Sequence, residues 1–273
     1  MSYITVGQEN SAAIQIYYED HGQGSPVVLV HGYLLDGHSW EKQETALLAA
    51  GYRVITYDRR GFGASSRPSV GYNYDTLAAD LAALLNHLDL HEVVLAGFCA
   101  GTGEVTRYLG TYGHRRVRAA VLIAPLPPGG VDGGVLDAFI SRISADRPAA
   151  AKTFLDRSYN IDLLGGVQVS DQAWQNSFHV AVRASAAAMS GCATAWLEDF
   201  SGDLARIAVP ALVVQGAQDS IAPPDVTGNR LAELLRSARH VVIPDGPHAI
   251  IWTHAEEVNQ ALLAFIAALS PPR

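Results

Sequence analysis

The stretch Glu92-Val93-Val94-Leu95-Ala96-Gly97-Phe98-Cys99-Ala100-Gly101-Thr102-Gly103-Glu104-Val105 decides how the chain is read. A short apolar run ends in Gly-x-Cys-x-Gly, and a segment compatible with a helix follows at once. This is the form of a nucleophile elbow, a tight strand-to-helix turn that presents one side chain at the top of a sheet. The usual occupant of the middle position is serine; here it is Cys99. Glycines on both sides suit a strained turn in which side-chain bulk would block the approach of strand to helix.

Working outward, other apolar runs fall into the same rhythm. Residues 3–8 and 13–18 read as two strands around Glu9-Asn10-Ser11, a hairpin at the sheet edge. Val27-Val28-Leu29-Val30 is continuous apolar sequence, as in a strand buried on both faces, and it stops at His31-Gly32-Tyr33-Leu34-Leu35. A helical segment over 39–50, a strand over 53–57 and a helix over 74–88, with Tyr74-Asp75 as its cap, come next. Beyond the elbow, the spacing predicts a helix over 101–112 and a strand over 119–125. Alternation of this kind implies βαβ units and a mostly parallel sheet.

The rhythm breaks after Pro125. Residues 126–205 hold helical stretches at 135–145, 148–158, 171–189 and 193–199 without a convincing strand, which reads as a helical cap insertion over the carboxyl edge of the sheet. It resumes with a strand over 210–216, a helix near 225–236, a strand over 240–243 and an amphipathic helix over 254–268. The expectation is one α/β domain, 1–273, because the segments on either side of the insertion complete one sheet.

Composition narrows the function classes. Hydrophobic residues make up 49% and charged residues 17% of 273, enough apolar material for a large core and too much for disorder. A net charge of -8 argues against nucleic acid or an anionic membrane as partner. No apolar run reaches the ~18 residues of a membrane span, and the N-terminus lacks a basic region followed by an apolar one. Two cysteines, Cys99 and Cys192, give neither a disulfide framework nor metal-ligand spacing, so a reducing, cytoplasmic setting and no metal are expected.

In open parallel sheets function gathers at the carboxyl ends of strands. Three strand ends carry reactive groups in the order nucleophile, acid, histidine: Cys99, Asp219 in Gly216-Ala217-Gln218-Asp219, and His248 in Pro247-His248-Ala249. His248 would take the thiol proton and later return it or activate water. Asp219 would hold the imidazole in one tautomer and stabilise its charged form, and it is preferred to Asp245 for its place at a strand end. The oxyanion donors would be the backbone N–H groups of Tyr33 and Ala100. A cysteine at a helix N-terminus beside a histidine should have a lowered pKa and rest as a thiolate–imidazolium pair.

With these residues in place, the chain resembles an α/β-hydrolase, and within that superfamily it is similar to the cofactor-free haloperoxidases, perhydrolases and related esterases. The resemblance lies in residues 31–40, 52–66, 97–105, 196–200 and 252–259. It implies a dimeric or trimeric assembly, no metal or haem, and a small ester, thioester or acid as substrate. The family pattern at the elbow is Gly-Phe-Ser-Met-Gly, whereas this chain has Cys99 and Ala100, and Leu34 stands where perhydrolase-like members carry proline.

The expected function is acyl transfer through a thioester on Cys99, with water or another acceptor. Two other readings stay open: a serine hydrolase of haloperoxidase type with introduced Ser-to-Cys and Met-to-Ala changes, and a non-acylating lyase or binding scaffold. Leu34, Phe98, Phe139, Trp196 and Ile250 are candidate pocket residues, and Phe154 and Trp252 could join them. His31 reads as architecture of the oxyanion loop, Asp58 with Arg59-Arg60 as turn chemistry, and His254 with Glu256-Glu257 as the solvated start of the last helix.

Overall fold

The computed structural model describes residues 2–164, 169–235 and 238–269. Residues 165–168 of the expected insertion and position 236, the end of the expected 225–236 helix, lie outside them. The strands are β1 (Ser2–Glu9), β2 (Ala12–His21), β3 (Pro26–Val30), β4 (Arg53–Tyr57), β5 (Val93–Phe98), β6 (Val117–Ile123), β7 (Ala211–Gly216) and β8 (Ala238–Ile243). They form one sheet in the order β1-β2-β4-β3-β5-β6-β7-β8. The β1–β2 hairpin joins antiparallel at the edge, and the strands from β4 to β8 along that order are parallel.

Period-two alternation splits the core into two layers. Val27, Leu29, Val94, Ala96, Val121, Leu212 and Val214 face one way, where they pack with the last helix, Ala255–Ala267. Val28, Val30, Leu95, Ala120, Leu122 and Val213 face the other, against helices Tyr74–His87 and Ala100–Tyr112. Burial of β3 and β5 on both faces explains why their sequences are continuous apolar runs.

Between β6 and β7 the described residues contain helices but no strand. The expected helix over 171–189 is two, Asp171–Val182 and Ala186–Thr194. The break has a physical cause. The Ser185 hydroxyl accepts the Ala188 N–H at 3.0 Å and starts a new helix, while Arg147 donates to the freed carbonyls of Val182 and Ala184 at 2.8 and 3.1 Å. The expected stretch at 193–199 is the end of Ala186–Thr194 followed by a short 3₁₀ turn, Ala195–Leu197. The cap at 74–88 also differs: Asn73, not Tyr74-Asp75, accepts the Thr76 N–H at 2.9 Å.

Of the three residues read as turn chemistry, only Asp58 behaves so, taking the N–H groups of Gly37 and Ala64 at 2.7 Å each. Arg60 forms a buried fork with Asp80, both bonds at 2.6 Å. Arg59 donates to Glu104 at 2.7 Å, and the Tyr57 hydroxyl donates to the other oxygen of the same carboxylate. Both members of the Arg59–Glu104 pair are sealed from solvent. Because Glu104 is on the helix that begins at the elbow, the pair ties that helix to the end of β4.

Removing one partner of such a pair leaves the other charge buried and uncompensated. Glu104→Gln should therefore cost about 3–5 kcal/mol in urea unfolding. A loss below about 1 kcal/mol, the scale of an exposed pair, would show that the bridge does not hold the elbow helix.

Candidate active site

Cys99 sits between β5 and the helix Ala100–Tyr112 with φ 51° and ψ -121°, a region that costs a non-glycine residue of the order of 1–3 kcal/mol. Its neighbours explain how the turn is enforced. A Cβ at Gly97 would lie 2.6 Å from the Gly101 carbonyl oxygen, and one at Gly101 would lie 2.3 Å from that of Val30. Gly32 is tight as well, since a Cβ there would sit 3.1 Å from the Cβ of Cys99. The Gly-x-Cys-x-Gly spacing thus lets the elbow press against the end of β3.

Asp219 and His248 arrive on the loops after β7 and β8. Gly216 permits this, because a Cβ on it would meet the Gly246 carbonyl oxygen at 2.3 Å. The loops are stitched together by Gln218 N–H to Gly246 O at 2.9 Å. His248 Nδ1 lies 2.8 Å from Asp219 Oδ2. The other oxygen of Asp219 accepts the N–H groups of Ile221 and Ala222 at 2.9 and 2.7 Å, so the carboxylate cannot swing. Asp245, the competing acid, is exposed and faces His254 at 3.2 Å.

Cys99 and His248 are each 2% exposed. Burial alone would push the thiol up, but the charge of His248 and the backbone N–H groups of Tyr33 and Ala100, which point at the sulfur, hold Cys99 below the ordinary thiol range. Burial opposes the imidazolium too. The Asp219 and Cys99 charges outweigh it and raise His248 to about 10. His248 Nε2 has no oxygen or nitrogen partner among the described residues and faces the Cys99 sulfur, whose charge and hydrogen bond both favour the imidazolium. Cys192 behaves oppositely: burial drives its thiol up to about 11.

The aromatic residues gather around these groups. Tyr33 packs edge-on to Trp196 at 4.7 Å and to Phe154 at 5.2 Å, and Phe139 stacks on Trp196 at 5.9 Å. Phe98 lies 5.4 Å from the His248 ring, and Phe154 meets that ring edge-on at 6.4 Å. The Tyr33 hydroxyl donates to the Met189 carbonyl at 2.7 Å, fastening the His31 loop to helix Ala186–Thr194. Leu34 is buried at φ 64°, a conformation closed to a proline ring. Ile250 is placed differently from the other candidates, packed beneath Gly246 in the His248 loop. A cleft of about 50 Å³ opens beside Phe98, between Leu35, Asp36, Ser177, Ala249 and Trp252.

His31 is sealed from solvent, bonded to Gly32 O at 2.8 Å and to the Arg59 N–H at 2.9 Å. Burial, with the nearby Arg59 charge, lowers its pKa to about 3, so it stays neutral. His254 is not at a solvated helix start: it is buried against Thr253 and Asp245, whereas Glu256 and Glu257 are exposed. Gln215 donates to Asp219 at 3.0 Å and was missing from the sequence reading. Its signal was available, as a polar residue in the apolar run of β7. Among the described residues no group of three or more His, Cys, Asp or Glu side chains is placed to hold a metal ion.

Known proteins share this architecture. A family model for the alpha/beta hydrolase fold matches residues 25–255. A Synechocystis sp. protein provisionally named a non-heme chloroperoxidase is 54% identical over 97% of this chain and 100% of its own. A bifunctional esterase/perhydrolase of Acinetobacter calcoaceticus is 30% identical over 97% of this chain and 99% of its own. The crystal structure of a bromoperoxidase from Bacillus anthracis superposes with a TM-score of 0.93 at 40% identity, covering 97% of this chain and 99% of that one. The chain is an enzyme of the α/β-hydrolase family, similar throughout its length to proteins named as non-heme haloperoxidases.

Proposed function

We propose that this enzyme transfers acyl groups from small esters, thioesters or acids through a thioester on Cys99, with residues 126–205 as the cap over its site. The observation that carries the reading is the convergence on one buried sulfur of His248, held by Asp219 at 2.8 Å, and of two backbone N–H groups. With the thiol held below its ordinary range, its proton passes to His248 Nε2 and leaves the thiolate. It attacks the carbonyl carbon, and the developing oxyanion takes the N–H groups of Tyr33 and Ala100. As the tetrahedral intermediate collapses, the bond to the leaving oxygen breaks and His248 Nε2–H supplies its proton. Neutral His248 then removes a proton from water, hydroxide adds to the thioester, and the C–S bond breaks to release the acid and the thiolate.

The aromatic wall of Tyr33, Phe139, Phe154 and Trp196 supports a compact apolar acyl group. Phe98, whose ring lies 5.4 Å from that of His248, also lines the cleft that the leaving group or acceptor would use. A second reading, peroxide-dependent halogenation, is favoured by the names of the relatives. It requires halogenation of an organic acceptor when peroxide and halide are supplied.

Intact-protein mass spectrometry after mixing with p-nitrophenyl acetate should show one acetyl adduct, abolished in Cys99→Ala. No adduct in the wild type, or one that survives the substitution, overturns the thioester. The resting charge state has its own test. Thiolate absorbance near 240 nm, taken as wild type minus Cys99→Ala, should persist from alkaline pH down below the ordinary thiol value of 9.0. The Cys192→Ser difference should appear only as the pH nears about 11. A Cys99 signal confined to pH above 9.0 would exclude a resting ion pair.

A further inference from the structure

Gln215 is fully buried at the end of β7, where its neighbours are Val213, Val214 and Gly216. Burying an amide is costly unless its polar atoms are matched, so its bonds show what it serves. Its Nε2 donates to Asp219 Oδ2 at 3.0 Å, with longer contacts to the Gly216 and Ala222 carbonyls at 3.3 Å. Its Oε1 accepts the Thr227 hydroxyl at 3.2 Å. The amide is caged as well: a Cβ on Gly228 would stand 2.6 Å from Oε1.

The oxygen that Gln215 reaches is the one that faces His248 Nδ1. Two donors therefore share Oδ2, while backbone N–H groups hold Oδ1. A donor on a carboxylate oxygen withdraws negative charge from it and weakens its grip on a second donor. We propose that Gln215 is a positioning residue that limits how strongly Asp219 holds the His248 proton, so that His248 can become neutral and accept a proton from the resolving water. This rests on the acyl-enzyme reading. Because backbone donors hold Oδ1, loss of the Gln215 amide leaves the carboxylate in place and changes chiefly its basicity.

The ionisable groups bordering the pair come from four directions. Cys99 comes from the elbow and Tyr33 from the His31 loop. Arg157 comes from helix Arg147–Ser158 and donates to Ser220 O at 2.6 Å. Asp245 and His254, beyond β8, face each other at 3.2 Å. None of these touches Oδ2 of Asp219, so a change made at Gln215 acts on that oxygen first.

The test follows deacetylation of the preformed Cys99 adduct by mass spectrometry across pH, in the wild type, Gln215→Met and Gln215→Glu. The ascending limb reports ionisation of His248 in the acyl-enzyme. With the donor gone, Gln215→Met should move that limb up by about half to one pH unit and slow deacylation at pH 7 by about 3–10-fold. Gln215→Glu, whose buried carboxyl beside Oδ2 is held protonated and can itself donate, should keep the limb near the wild-type pH. A Gln215→Met limb that stays at the wild-type pH, with or without a uniform fall in rate, or a Gln215→Glu limb that moves as far as that of Gln215→Met, overturns the role of Gln215 alone. A wild-type chain that forms no adduct overturns the acyl-enzyme reading and this inference with it.

Discussion

The structure depends on how closely the elbow approaches β3. Backbone oxygens stand 2.3–2.6 Å from where side-chain carbons on Gly97 and Gly101 would begin, so only hydrogen fits. That proximity holds Cys99 in a strained conformation and aims its sulfur at the Tyr33 and Ala100 N–H groups. The strain is offset by ladder bonds on both sides of β5 and, on the helix side, by Glu104 buried against Arg59 and Tyr57. Packing thus enforces a geometry that no local preference would choose.

Burial then sets the electrostatics. In the sealed space above the sheet each polar group is costly alone, and each faces a partner: the Cys99 sulfur faces His248, His248 faces Asp219, and Asp219 faces two backbone N–H groups and Gln215. Cys192 shows the contrast. It is equally buried, but the Arg59 charge that favours its ionised form does not offset burial, and it remains a thiol. The same chemical group is pushed in opposite directions because only Cys99 meets His248 and aligned N–H groups.

Much of this was legible from residues. Continuous apolar runs marked the parallel strands, because a strand buried on both faces has no polar side to show. The order Cys99, Asp219, His248 at the ends of β5, β7 and β8 was visible because a parallel sheet brings those ends to one edge. Periodicity failed where a single hydrogen bond decided the outcome. Helix spacing ran through 171–189, and only the Ser185 cap and the reach of Arg147 from another helix broke it. Adjacent arginines resembled a turn, yet each found a separate buried carboxylate, on Glu104 and Asp80.

By itself the sequence determined the sheet, the elbow and the strand ends that carry Cys99, Asp219 and His248, because these follow from backbone sterics and from spacings that repeat along the chain. Tertiary structure decided the rest. It showed which glycines are compressed, that Leu34 occupies a conformation proline cannot, that His254 is buried, and that Tyr33, Phe139, Phe154 and Trp196 close into one wall. It also revealed Gln215 against Asp219. These facts depend on distances between residues far apart in the chain, and side-chain directions in a close-packed core are set jointly by all their neighbours rather than by the residues on either side.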